Sequence, residues 1–319
     1  MKTLTKKLFY LVGMLLLISL ISFLAIHAAP NSFLGAGELN PNMNQEAIEK
    51  LKAVYGLDKP LAVQYTDWIK NILHLDFGIS FVTGSDVSGE IFKRIGITLF
   101  MNGVSMVVVF TLALYLGIKA ALHYEQKSDH LIRQFSLLSF SMPSFYLALL
   151  LIITFAVNLK LFPIAGLHSV DAGSGIAYYL DMLWHLVLPI NVMIFLGLGS
   201  MVIYVRSLTL EILKSDYYYF AKTRALTQVQ LLRYYILPNL LPPIVTLLGL
   251  SLPGLIGGSV ILESIFGIDG MGQLFYLSAL SRDYPVIMGI LMITSLLTLL
   301  GNIIADLVLL KLNPYANRG

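Results

Sequence analysis

Six long apolar runs separated by polar stretches organise the chain: 8–28, 97–118, 134–156, 182–204, 236–262 and 284–310. A helix needs about 20 apolar residues to cross a bilayer and a barrel strand about half as many, so these lengths predict helical spans. The first run follows Lys2, Lys6 and Lys7. It is long, and Ala25, Ala28 and Ala29 offer only a weak cleavage site, so it is expected to be a retained helix rather than a signal peptide.

Two polar stretches stand out. In segment 29–95, Gln45 to Tyr55 and Leu61 to Leu75 carry apolar residues at helical spacing, and Pro60 suits a first helical turn. Two short amphipathic helices are expected there. They would either cover helix ends, with Trp68 as an anchor, or dock an external partner. The second stretch, Ser215 to Pro238, is basic and amphipathic. Thr227-Gln228-Val229-Gln230 matches a capping box, with Leu226 and Leu231 at the staple positions, so a helix should start near residue 228. Asp216 would sit at the N-terminus of an earlier helix, where the macrodipole favours an acid. The stretch is therefore expected to be two helices joined by a turn near Ala225. Pro238 and the pair Pro242-Pro243 should then interrupt backbone hydrogen bonding at the start of the fifth span.

Composition supports the membrane reading. With 57% hydrophobic residues, 12% charged residues and a mean hydropathy of +0.80, the apolar surface exceeds what one soluble core could hide. The chain is expected to be an all-α, multi-pass protein surrounded by membrane lipid. There are no cysteines, which excludes disulfides and thiolate metal sites, and a net charge of +3 gives no reason to expect nucleic acid. Placing the N-terminus in the cytoplasm puts Lys119, Lys127, Arg133, Arg206, Lys214, Lys222, Arg224, Arg233, Lys311 and Arg318 on that side. The two short outer loops then hold only Lys160 and Arg282. Both termini are expected to be cytoplasmic. Three divisions follow: a first transmembrane helix at 1–28, an extracytoplasmic segment at 29–95, and a five-helix core at 96–319 with a cytoplasmic loop at 206–238.

Candidate chemistry is sparse. No G-x-x-x-x-G-K-[ST] phosphate loop and no H-E-x-x-H occurs, and the six histidines form no close ligand pair on one span, so neither catalytic nor metal-binding residues are expected. Glu263 and Asp306 lie near span ends, where facing lipid would be costly, and each suits either a polar pathway or helix packing and capping. His185 is open to two readings, a pathway contact or a hydrogen-bonded structural group. Lys222, Arg224 and Arg233 could also be simple headgroup anchors.

The stretch Tyr219-Phe220-Ala221, then Ala225, then Leu237-Pro238 resembles the loop signature of binding-protein-dependent ABC importer permeases. In that signature an alanine-rich triplet is followed by glycine and then Leu-Pro. Further segments are similar to the dipeptide, oligopeptide and nickel permease subfamily in order and spacing: Tyr55 to Leu61 with Gln64-Tyr65, Asp76 to Ser80, Phe140 to Phe145, and Phe162 to Gly166. Beyond the loop come Asn239, Thr246, Glu263 to Phe266 with Gly270 to Gly272, Arg282 to Pro285, Asn302 and Asp306. The resemblance implies a type I importer permease with about six transmembrane helices in a bacterial cytoplasmic membrane, paired with a homologous permease to form the pathway. Two cytoplasmic ATPase subunits would use ATP and Mg, and an extracytoplasmic binding protein would deliver substrate. The chain itself would bind no cofactor. The coupling loop would include Asp216, Ala221, Lys222, Thr223, Arg224, Ala225, Thr227, Gln230, Arg233, Leu237 and Pro238.

Three features depart from the family pattern. Ala225 replaces the glycine, Lys222 and Arg224 exchange the usual basic residues, and Pro30-Asn31-Ser32 replaces a common Pro-Gly-Asp-Pro. If the turn needs a positive φ, alanine there costs about 1 kcal/mol. Peptides are the expected substrate, with nickel or a metal chelate as the alternative. An ion-coupled secondary transporter would be expected to show internal repeats and a midplane acid, and neither is seen.

Overall fold

Proline breaks one of the apolar runs and is accommodated within others. The computed structural model describes residues 2–28, 59–251 and 259–312, which are almost entirely helical. In chain order the helices are α1 (Lys2–Ala28), α2 (Leu61–Leu73), α3 (Val87–Leu122), α4 (Lys127–Ser141), α5 (Ser144–Leu151) and α6 (Ile176–Leu213). They continue with α7 (Asp216–Thr223), α8 (Gln228–Leu231), α9 (Leu237–Ser251), α10 (Val260–Phe266), α11 (Met271–Ser281) and α12 (Tyr284–Leu312). A π-helical segment at Ile152–Asn158 extends α5, and another at Leu232–Ile236 joins α8 to α9. Among the described residues the only β-pairing is an isolated bridge between Ile79 and Asp86.

Among the described residues, four helices are long and apolar enough to cross a membrane: Val87–Leu122, Ile176–Leu213, Gln228–Ser251 and Tyr284–Val308. The count reaches six if each of two bent helix pairs is one span. The third predicted span, 134–156, is one of those pairs. Its two halves meet at 102° around Met142 and Pro143. Proline disfavours the helical region for the residue before it, and Met142 is accordingly extended, with φ −86° and ψ 127°. The second span starts at Val87 rather than near 97. The expected interruption at the fifth span takes the form of a wide turn. Leu237 N–H reaches back to Leu232 O, which relieves the clash that the Pro238 ring would make in a regular α-turn, and the helix runs on through Pro242 and Pro243. The end of the predicted run 236–262 and the expected Gln45–Tyr55 helix lie partly or wholly outside the described residues.

Contacts divide the chain into two units, Met1–Thr98 with Asp269–Leu300 and Leu99–Ile268 with Gly301–Gly319. In the first unit, α2 begins just after Pro60, which serves as its N-cap. The helix lies on α1 through a Ser19 to Tyr65 hydroxyl bond of 2.8 Å and a His27 to Gln64 bond of 3.2 Å. Trp68 and Tyr65 pack against Phe23, Phe81, Tyr284 and Met288, so α2 covers neighbouring helices. Lys59 Nζ bonds Asp67 at 2.9 Å and holds that carboxyl below the usual carboxylate range. Two family-like segments meet here. Asp283 is buried and accepts from Ser80 Oγ at 2.5 Å and from Phe81 N–H at 3.0 Å.

The second unit is centred on Val109, Ala113, Val202, Val205, Ile236 and Leu240. Lipid tails are as apolar as these side chains, so close packing rather than water exclusion drives helix association, and small residues favour it. Gly199 of α6 shows the effect. A Cβ there would lie 2.6 Å from Phe140 N and 2.7 Å from Ser136 O, so α4 can approach only a glycine.

Candidate functional site

The stretch between α6 and α9 folds as its local signals require. α7 opens at Asp216 after Ser215, an N-cap with extended backbone, and ends as Arg224 N–H bonds Ala221 O at 3.2 Å. Ala225 follows with φ 53°, in the left-handed region that disfavours a Cβ. The structure keeps the turn despite alanine. The capping box is complete: Gln230 N–H donates to Thr227 Oγ1 at 3.3 Å, and Thr227 N–H donates to Gln230 Oε1 at 2.9 Å. α8 then starts at Gln228, and Leu237 and Pro238 open α9 beyond the π-helical turn.

Burial divides this stretch into two faces. Ala221 and Leu231 are buried, and Tyr218 packs on the core of the second unit, where burial pushes its phenol pKa up. Asp216, Lys222, Thr223, Arg224, Ala225, Thr227, Gln230, Arg233 and Pro238 are exposed, and Leu237 is half-buried. Beside the basic side chains, Tyr219, Phe220, Val229 and Tyr234 are between 62% and 71% exposed. An exposed aromatic patch with interspersed cations is the composition of a protein-docking surface.

A charge pair that the sequence pattern did not single out braces the helix from which the stretch departs. Arg206, near the end of α6, donates through Nε to Asp129 Oδ1 at 2.6 Å and through a terminal nitrogen to Oδ2 at 2.7 Å. Asp129 is fully buried and also accepts Glu125 N–H at 3.0 Å, while the guanidinium lies 5.4 Å from the Tyr124 ring centre. This bidentate geometry pins the α3–α4 turn to the end of α6, just before the stretch begins. From the sequence alone, Arg206 counts as one more inside charge. The available signal was a lone acid, Asp129, among Lys127, His130 and Arg133.

The three polar candidates in the spans lie apart from that stretch in sequence. Glu263 is fully buried in the first turn of α10, where Ser259 Oγ donates to its Oε1 at 2.6 Å and Asn102 Nδ2 donates to Ser259 Oγ at 3.0 Å. His185 is buried, with Nδ1 2.9 Å from Asp181 O, a bond within its own helix. Asp306 is exposed on α12, next to Ala305, which packs on Gly249. Among the described residues, no three His, Cys, Asp or Glu side chains are grouped so as to hold a metal ion.

Comparison with known proteins is decisive about kinship. Residues 95–317 match the family described as binding-protein-dependent transport system inner membrane component, and residues 1–102 match its N-terminal companion. The chain belongs to this family. It is 34% identical over 304 residues to the oligopeptide transport system permease protein AppB of Bacillus subtilis, covering 95% of each chain. It is 30% identical over 321 residues to the Probable D,D-dipeptide transport system permease protein DdpB of Escherichia coli, covering 95% of this chain and 93% of that one. A chain in the inward-facing structure of the MetNI methionine ABC transporter superposes with a TM-score of 0.53 at 18% identity, over 70% of this chain and 96% of that one. The fold is thus that of an ABC importer permease, a multi-pass membrane protein.

Proposed function

We propose that this chain is the permease subunit of an ATP-driven importer of peptides, in a bacterial cytoplasmic membrane with both termini inside. The family membership and the peptide-transport names of AppB and DdpB support the substrate class. In this reading a homologous permease completes the pathway, an extracytoplasmic binding protein delivers the peptide, and two ATPase subunits hydrolyse ATP with Mg. The chain contributes no catalytic residue and no cofactor site.

The observation that carries the mechanism is the two-faced stretch Ser215 to Pro238. Its inner face buries Ala221 and Leu231 and packs on the transmembrane core through Tyr218, Leu232 and Leu237, and its outer face presents aromatic and basic side chains. A helix of this kind laid in a groove of an ATPase subunit would pass nucleotide-driven closure to α6 and α9 as a rigid-body movement. Arg224→Glu combined with Arg233→Glu should leave membrane insertion intact while abolishing both transport and co-purification of the ATPase subunits. Normal complex formation by that double variant would sink the docking role.

A further inference from the structure

Near the midpoints of α3 and α6, the second unit contains a cleft of about 300 Å³, at the small end of the range for ligand pockets. Polar side chains at such depth in a membrane protein carry a free-energy penalty and commonly mark a substrate path. Here Asn102 and Ser105 come from α3, Ser200 from α6 and Ser251 from α9, interspersed with methionines such as Met193. Asn102 and Ser105 are nearly buried, whereas Ser200 and Ser251 are exposed.

The hydrogen bonds give this cleft a chemical sign. Ser105 Oγ donates to Met101 O and Ser251 Oγ to Leu247 O, both at 2.8 Å, and Met193 Sδ, a weaker acceptor, lies 3.6 Å from Ser105 Oγ, so each hydroxyl proton is best placed on the carbonyl of its own helix. What these oxygens offer the cleft is lone pairs. The Asn102 amide gives one of its two N–H groups to Ser259, whose own proton goes to buried Glu263. Among the described residues, no Lys or Arg lines the cleft. The Ser105 and Ser251 oxygens therefore accept hydrogen bonds, and the lining does not repel cations. Methionine walls are deformable and tolerate varied side chains.

We propose that this cleft is a contact point for the peptide within the permease, a role that rests on the importer reading above. It takes the N–H donors of the peptide, either main-chain amides or the terminal ammonium, and is indifferent to side-chain identity. The test uses the whole transporter in proteoliposomes with its binding protein, comparing a free-amine dipeptide with its N-acetyl form. Ser105→Ala with Ser251→Ala should lower transport kcat/KM for the free-amine peptide about tenfold, as expected for lost hydrogen bonds in the pathway. A much smaller loss for the acetylated peptide assigns the ammonium as donor, and an equal loss assigns the main-chain amides. Unchanged uptake of both by an assembled double variant overturns the cleft while leaving the importer reading in place. Absence of peptide uptake by the wild-type transporter overturns the importer reading itself. If the double variant fails to assemble, exposed Ser200 decides: Ser200→Lys should reduce uptake of the free-amine peptide about tenfold and Ser200→Asp should not. Equal uptake by those two variants overturns the proposal.

Discussion

The stretch Ser215 to Pro238 and the polar network behind the mid-helix cleft sit in the same unit but are specified in opposite ways. In the stretch, the helix start, the left-handed turn and the capping box are interactions between residues three or four apart. In the network, Asn102 meets Ser259 across 157 positions of sequence, and Ser259 carries the contact on to Glu263. The difference teaches that the proposed docking surface is drawn almost entirely by local rules, whereas the polar network exists only because distant helices meet. The Asp129 to Arg206 pair, 77 positions apart, is where the first kind of structure depends on the second.

The largest effect is expected at that pair. Asp129→Ala leaves a guanidinium that is 12% exposed without its carboxylate, and removing one partner of a buried pair costs about 3 kcal/mol. The assembled transporter should show a clearly lower thermal midpoint, together with faster amide exchange in α7. Exchanging the two residues, Asp129→Arg with Arg206→Asp, should recover part of the loss. If α7 exchange is unaffected by Asp129→Ala, the stretch is more self-sufficient than the clamp implies.

Next comes Glu263→Ala, which takes the acceptor from the Ser259 hydroxyl and costs about 2 kcal/mol, the penalty for a buried polar group left unsatisfied. Glu263→Gln keeps an acceptor and should restore most of the stability. These variants should leave amide exchange in α7 and α8 unchanged, and an equal change there would erase the distinction between the two regions. The smallest effects are local. Ala225→Gly relieves the left-handed strain and should stabilise the turn by about 1 kcal/mol. Thr227→Ala removes the cap and should destabilise α8 by about 1 kcal/mol, read as faster exchange of the Gln230 amide.

Much of the fold was legible in advance because membrane spans are written as apolar length. The long helices α3, α6 and α12 coincide with predicted runs, each extending beyond its run. The break at Pro143 was missed although its signal was present: hydropathy continues across Met142 and Pro143, and a reading by apolar length passes over the backbone constraint that proline imposes. In the stretch before α9, Asp216, Ala225, Thr227 and Gln230 behave as expected because capping and turn chemistry act over a few residues. Asp129 was overlooked because its partner is distant, and Arg206 taken alone looks like an ordinary inside charge.

What this sequence determined by itself is a helical membrane protein with a capped, turned and proline-bounded stretch between two spans, since apolar length and short-range hydrogen bonding are local properties. Only the tertiary structure decided that Asp129 clamps Arg206, that Gly199 admits α4, and that Asn102, Ser259 and Glu263 form one buried network beside a serine-containing cleft. Those contacts join helices far apart in the chain, and no short-range signal specifies which of them will touch.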